Sequence, residues 1–421
     1  MKAWPSRVAR AALLAWLLSV AVAACSSGAP SAGSTAAPSG VKIAVDHPTA
    51  LADTPLDVRI TGLTADQRVT VQASAATTNK RQWLGFAMFH ADAGGAIDLA
   101  TAMPGGGGYR QPEAMGLFRS MLSTGGTDAL SAPAPNLRVT LSVRDGSRTL
   151  ASQTVTRVYT AAGVTVRSLT LAKDGFIGHY YAPVVSSTPR PAVLLFGGGE
   201  GGLGGYLDTA AALLASHGHP ALAIGYFGLP GLPGQLTNVR LEYFTGALTW
   251  LRGQPGVDRD RVFAYGDSRG SEAALLLGAR RPDLVHGVVA LVPSSVVHCA
   301  YPNCSGPSWT MDGVPLPYTR EFGGPTPTDE PAAVIPVERI AGPVFLVCGE
   351  SDTEWPSCPY ARAIDARLAG RAGTAQHLLL AYPGAGHKVG LLVPYQPDDG
   401  GAVDGKGQED AWPRLLALLD A

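Results

Sequence analysis

The stretch Arg261-Val262-Phe263-Ala264-Tyr265-Gly266-Asp267-Ser268-Arg269-Gly270-Ser271-Glu272-Ala273-Ala274-Leu275-Leu276-Leu277 decides how this chain is read. Its first five residues have strand character, its last seven have helix character, and Gly-x-Ser-x-Gly stands between them. A strand that turns sharply into a helix lifts the serine oxygen clear of the sheet. Glycine is expected at 266 and 270 because side chains there meet the neighbouring strand and helix. The helix N-terminus that follows favours developing negative charge. The pattern alone is common in a chain with 52 glycines. Its strand–turn–helix setting makes Ser268 the candidate nucleophile.

Working outward, residues 164–421 carry continuous apolar runs: Ala192-Val193-Leu194-Leu195-Phe196, Ala221-Leu222-Ala223-Ile224, Gly287-Val288-Val289-Ala290-Leu291-Val292 and Val344-Phe345-Leu346-Val347. Helical segments at 209–217, 241–252, 360–368 and 409–419 alternate with them. Strands apolar on both faces belong to a largely parallel sheet covered by helices. The expected class is α/β, with an α/β-hydrolase fold.

A serine hydroxyl needs a base to take its proton, and the base needs a partner that fixes its tautomer. In this fold the order is Ser, acid, His. The run 344–347 leads into Cys348-Gly349-Glu350-Ser351-Asp352, and Leu378-Leu379-Leu380-Ala381-Tyr382 leads into Pro383-Gly384-Ala385-Gly386-His387. Asp352 is preferred to Glu350 because it lies one step further out from the strand. His387 is preferred to the histidines at helix ends and strand starts. Asp267 and Arg269 are assigned to packing or ion pairing, and Glu272 to buttressing or capping. The oxyanion hole needs two backbone N–H donors. One is expected from Arg269, the other from Gly199 or Glu200 in the glycine-rich loop 197–205. That loop also matches a dinucleotide fingerprint at Gly199, Gly201 and Gly204. The next strand, however, ends Gly225-Tyr226-Phe227-Gly228 without the ribose-binding acid, which argues against a dehydrogenase. No cofactor is expected, and no metal, since Cys-x-x-Cys and His-Glu-x-x-His patterns are lacking. A non-catalytic surface lipoprotein using the fold as scaffold is the reading from another class.

Residues 41–163 read differently. Leu56-Asp57-Val58-Arg59-Ile60 and Val69-Thr70-Val71-Gln72-Ala73 alternate apolar and polar, and 83–91, 137–143 and 155–159 continue the pattern. An antiparallel β-sandwich domain is expected, with Gly105-Gly106-Gly107-Gly108 as loop.

The N-terminus begins Lys2, Arg7 and Arg10, followed by an apolar run to Ala24. Val22-Ala23-Ala24-Cys25 looks like a lipobox, so residues 1–24 are expected to be a lipoprotein signal peptide and Cys25 the site of lipid attachment. Residues 25–40 then form a flexible tether of Ser, Ala, Gly and Pro. The expected location is outside the cytoplasm, anchored to a bacterial membrane. With net charge −1 and 15% charged residues, nothing points to nucleic acid. In an exported protein, local disulfides between Cys299 and Cys304 and between Cys348 and Cys358 are plausible.

Further strings carry a family resemblance: Asp53-Thr54-Pro55-Leu56, Thr61-Gly62-Leu63, Met115-Gly116-Leu117-Phe118-Arg119-Ser120-Met121, Leu214-Ala215-Ser216-His217-Gly218, Gly225-Tyr226-Phe227-Gly228, Leu241-Glu242-Tyr243-Phe244 and Gln408-Glu409-Asp410-Ala411-Trp412. Together they resemble the acyl-CoA thioesterases and bile acid-CoA:amino acid N-acyltransferases over nearly the whole chain after the tether. The resemblance implies a triad of Ser268, Asp352 and His387 and a small-molecule acyl thioester or ester substrate. Acyltransferase members use cysteine as nucleophile, so serine at 268 favours hydrolysis over transfer to an amine. A carboxylesterase or dienelactone-hydrolase-like activity is the nearest alternative. The insertion at 299–339 has no adenine or phosphate signature, so acyl-ester chemistry carries over more directly than CoA.

Overall fold

Alternating strands in the first part of the chain build two mainly antiparallel sheets. In the smaller, Val58–Thr61 lies between Lys42–Val45 and Ile97–Asp98. The larger runs Thr49–Leu51, Arg148–Val158, Asn136–Asp145, Arg68–Ala76, Gln82–His90, Gly106–Gly107, with Leu122–Ser123 also on Gln82–His90. Thr49–Leu51 is parallel to its neighbour. The alternation has its physical reason in burial: in Arg68–Ala76 the residues Val69, Val71, Ala73 and Ala75 point inward. Val58, Ile60 and Ile97 of the small sheet join Val71, Phe89, Val139 and Leu141 of the large one in a single buried cluster, as sandwich packing requires. The computed structural model describes residues 40–76, 82–123, 136–184, 188–371, 373–397 and 401–421. The expected signal peptide, Cys25 and the tether up to residue 39 lie outside them.

One expectation is corrected here. Within the glycine run assigned to loop, Gly106–Gly107 is a strand that pairs with Met88 and Ala87. A Cβ on Gly107, at φ 124°, would lie 2.3 Å from Phe86 O. Glycine there permits close backbone approach as well as a loop.

The second part holds one eight-stranded sheet, numbered here within itself: β1 (Thr165–Leu169), β2 (Ile177–Ala182), β3 (Arg190–Phe196), β4 (Ala221–Gly225), β5 (Val257–Asp267), β6 (Gly287–Leu291), β7 (Val344–Gly349) and β8 (His377–Tyr382). Its order is β1-β2-β4-β3-β5-β6-β7-β8. β2 runs antiparallel to both of its neighbours, β1 and β4, and all the other pairings are parallel. This is the α/β-hydrolase architecture. Helices α1 (Gly205–Ser216), α2 (Leu241–Arg252), α3 (Arg269–Arg280), α4 (Ser357–Ala369) and α5 (Ala402–Asp420) cover it.

Alternate residues of the strands feed two separate cores. Val193 and Leu195 of β3 pack with α1, with Trp412 and Leu415 of α5, and with the N-terminal sheets. Ala192, Leu194 and Phe196 pack with Phe244 and Leu248 of α2, Leu275 of α3 and Ile364 of α4. Continuous apolar strands are thereby buried on both faces. Gly40–Ala421 is accordingly one compact unit. Polar contacts cross it too: Asp53 Oδ2 accepts Trp412 Nε1–H at 2.7 Å and lies 2.6 Å from His217 Nε2.

Candidate active site

Ser268 stands between β5 and α3 with φ 49° and ψ −121°. The left-handed backbone makes the sharp turn, and crowding explains its glycines. A Cβ at 266 would lie 2.3 Å from Gly270 O, and one at 270 would lie 2.4 Å from Gly197 O. Strain of this kind persists where surroundings over-determine it, typically at functional sites. Val292, just past β6, is a second case, with φ 39°.

Asp352 follows β7 and His387 follows β8. Strands β5 to β8 are consecutive and parallel, so all three residues lie at one carboxyl edge. His387 Nδ1 is 2.8 Å from Asp352 Oδ2, with the carboxylate side chain 1% exposed and the imidazole 24%. Glu350, the other acid considered, pairs instead with Arg362. A carboxylate on Nδ1 fixes the tautomer that leaves Nε2 free to accept a proton. Helix α5 holds the histidine loop: Asp404 Oδ1 accepts Gly386 N–H at 2.6 Å, and Gln408 Nε2 donates to Lys388 O at 2.8 Å. The Trp355 ring lies 6.2 Å from that of His387, and its Nε1–H donates to Val292 O at 3.0 Å.

The glycine loop after β3 sits against the elbow. A Cβ on Gly198 would be 2.9 Å from Ser268 Cβ. The buried Tyr226 hydroxyl donates to Gly197 O at 2.8 Å and Gly198 O at 3.2 Å. In a trans peptide the N–H points opposite to the C=O, so the N–H groups of Gly198 and Gly199 face away from Tyr226. That of Gly198 is taken by Glu200 Oε1 at 3.2 Å. The Arg269 N–H begins α3, where helix geometry supplies no intrahelical acceptor.

Three side chains of this region form a proton-sharing contact that the sequence did not disclose. The Tyr206 hydroxyl, with one hydrogen, lies 2.5 Å from Glu200 Oε1 and 3.0 Å from Asp267 Oδ1. A single hydrogen serves two carboxyl oxygens poorly, which favours a proton held on one of the carboxyls. Burial pushes the Asp267 carboxyl well above its ordinary 3.8, and the nearby Glu200 charge pushes it further. A raised folded-state value means stability that is full below the unfolded value and lost as pH climbs through the folded one. Asp267→Asn, which cannot ionise, is therefore expected to gain stability relative to the wild type as pH rises from 5 to 9. Thermal melts across that range check this; parallel profiles would refute it.

Beneath the elbow lies a second buried network. Glu272 is fully buried. Its Oε1 is 3.1 Å from Arg269 Nε and 2.9 Å from His298 Nδ1, and its Oε2 accepts Trp309 Nε1–H at 2.9 Å. Arg269 Nη2 donates to His298 O, Cys299 O and Ser308 Oγ, and His298 Nε2 is 3.2 Å from Tyr360 Oη. The expected buttressing by Glu272 thus reaches into the insertion after β6, where Cys299 and Cys304 form a disulfide; Cys348 and Cys358 form another. The one advance signal was Glu272 standing one helical turn after Ser268. Among the described residues no group of His, Cys, Asp and Glu is arranged to hold a metal ion.

Residues 53–170 match the family model for the acyl-CoA thioester hydrolase/BAAT N-terminal region, and residues 239–420 match that for the BAAT/acyl-CoA thioester hydrolase C terminus. Rat mitochondrial acyl-coenzyme A thioesterase 2 is 30% identical over 366 residues, 82% of this chain and 78% of that protein. Mouse acyl-coenzyme A amino acid N-acyltransferase 1 is 28% identical over 394 residues, 85% and 88% of the two chains. A putative dienelactone hydrolase from Klebsiella pneumoniae aligns with 61% of this chain and 98% of its own, at TM-score 0.44 and 17% identity. The chain belongs to the acyl-CoA thioester hydrolase/BAAT family.

Proposed function

We propose that the chain is a serine hydrolase that cleaves an acyl thioester or ester through an acyl-enzyme. The observation that carries this reading is the His387–Asp352 contact at 2.8 Å, at the sheet edge that also presents Ser268 on its strained turn. Ser268 Oγ attacks the acyl carbonyl while its proton passes to His387 Nε2. The backbone N–H of Arg269 and that of Gly199 stabilise the oxyanion. Collapse breaks the bond to the leaving thiol or alcohol, which takes the proton from His387. Water, deprotonated by the same imidazole, then releases the acid and restores Ser268. Asp352 orients the imidazole and stabilises its cationic form. A serine at 268, where the resemblance implies cysteine in acyltransferases, supports water rather than an amine as acceptor. An alkyl fluorophosphonate should label the purified wild type; absence of labelling would defeat the mechanism in favour of a non-catalytic scaffold.

The protein is further proposed to be exported and lipid-anchored through Cys25, on the strength of the basic start, the apolar run and the Val22-Ala23-Ala24-Cys25 string. Mass spectrometry of the membrane fraction should find a diacylated Cys25 as first residue. An unmodified Cys25 or retained residues 1–24 would refute it.

A further inference from the structure

The insertion between β6 and β7 brings an aromatic side chain against the glycine-rich loop beside Ser268. Tyr301 is 46% exposed. Its ring atoms Cδ1 and Cε1 lie 3.4 Å from where a Cβ on Gly199 would stand. The preceding glycine, 198, has Ser268 at the equivalent position, 2.9 Å away. The Tyr301 ring and the Ser268 side chain thus flank adjacent glycines of one loop.

The backbone bearing this ring is held from several sides. Tyr301 N–H donates to Leu236 O at 3.0 Å, Ala300 N–H to Gly306 O at 2.8 Å, and Cys304 N–H to Ala300 O at 2.7 Å. The Cys299–Cys304 disulfide closes the loop. Arg269 binds the carbonyls of His298 and Cys299 at 3.1 and 3.0 Å. A half-exposed aromatic ring on so constrained a backbone is placed rather than merely left outside. Further along, Phe322 is 43% exposed and stacks on the buried His298 at 4.5 Å. His298 in turn stacks on Trp355 at 5.3 Å, the ring that borders His387. Exposed rings therefore edge the insertion side. The same insertion, residues 299–339, carries five acidic side chains against two arginines, which disfavours a polyanionic group on that side, while the exposed rings of Tyr301 and Phe322 suit an apolar chain.

We propose that Tyr301 is a specificity-determining residue: its ring forms a wall of an acyl-chain subsite and sets the preference for longer apolar acyl groups at Ser268. This rests on the serine hydrolase reading above. The leaving group then departs on another side, away from the acidic insertion.

The test measures kcat/KM for p-nitrophenyl acetate, butyrate, octanoate and decanoate in the wild type, Tyr301→Ala and Tyr301→Phe, alongside active-site titration with an alkyl fluorophosphonate. Tyr301→Ala is expected to lower the decanoate-to-acetate ratio at least fivefold with acetate turnover retained. Tyr301→Phe, which keeps the ring, is expected to hold the ratio within twofold. A change smaller than fivefold, or a raised ratio, in Tyr301→Ala overturns the assignment, as does a Tyr301→Phe variant that behaves like alanine. If the wild type takes no fluorophosphonate, the hydrolase reading fails and this inference falls with it. A titrating enzyme with an unaltered ratio defeats the inference alone.

Discussion

Replacing Ser268 with alanine is expected to lower kcat about 10⁶-fold on whichever p-nitrophenyl ester or acyl thioester the wild type turns over best, as removal of a triad serine does elsewhere. The loss is large because the base and its orienting carboxylate act only through the nucleophile. Without Oγ, the His387–Asp352 pair has no proton to move, and what remains is oxyanion stabilisation and substrate binding, about 10³–10⁴ over water. The variant should fold. Ser268 N–H still reaches Leu291 O at 2.9 Å, and alanine meets the same backbone strain at φ 49° as serine does. Fluorophosphonate labelling should vanish with it. A loss of less than about a hundredfold in a folded, titrated preparation would mean that another group performs the attack.

Glu272→Ala is expected to cost about 3–5 kcal/mol of stability, the range found when one partner of a buried ion pair is removed. The carboxylate is wholly enclosed and is shared by Arg269, His298 and Trp309. Alanine strands the Arg269 guanidinium, whose side chain is 5% exposed, beside a void. Glu272→Gln retains an oxygen for the Trp309 N–H but loses the charge, so it should fall between wild type and alanine. Urea denaturation of the three proteins measures this; a cost for alanine below about 1 kcal/mol would show that Arg269 draws its compensation from the three oxygens bound to Nη2.

The elements legible in the sequence are those whose cause is local. β3, β6 and β7 are runs of apolar residues buried on both faces, and Ser268, Asp352 and His387 each follow an apolar run at a position marked by glycine, although β8, before His387, is only partly buried. β1 could not be read this way: four of its five residues are exposed, so no apolar pattern announces it. Nor could the strand at Gly106–Gly107, whose reason lies in the Phe86 carbonyl, 21 residues before Gly107. The Glu272 network escaped for the same reason. Its partners stand 26 and 37 positions away, and each is an ordinary polar or aromatic residue until the fold assembles them. Asp267 and Glu200 were in view, but their shared contact depends on Tyr206, a helix residue with no motif around it.

Arg269 does two jobs at once, and this bears on how turnover is paced. Its backbone follows the nucleophile, while its side chain fastens the carbonyls of His298 and Cys299. Many hydrolases cover their pocket with a flap that opens and shuts, and the flap then sets the rate. Here the root of the insertion that carries Tyr301 is fastened to the turn that carries Ser268. If the chain hydrolyses as proposed above, a hinge at that root is expected not to pace its turnover.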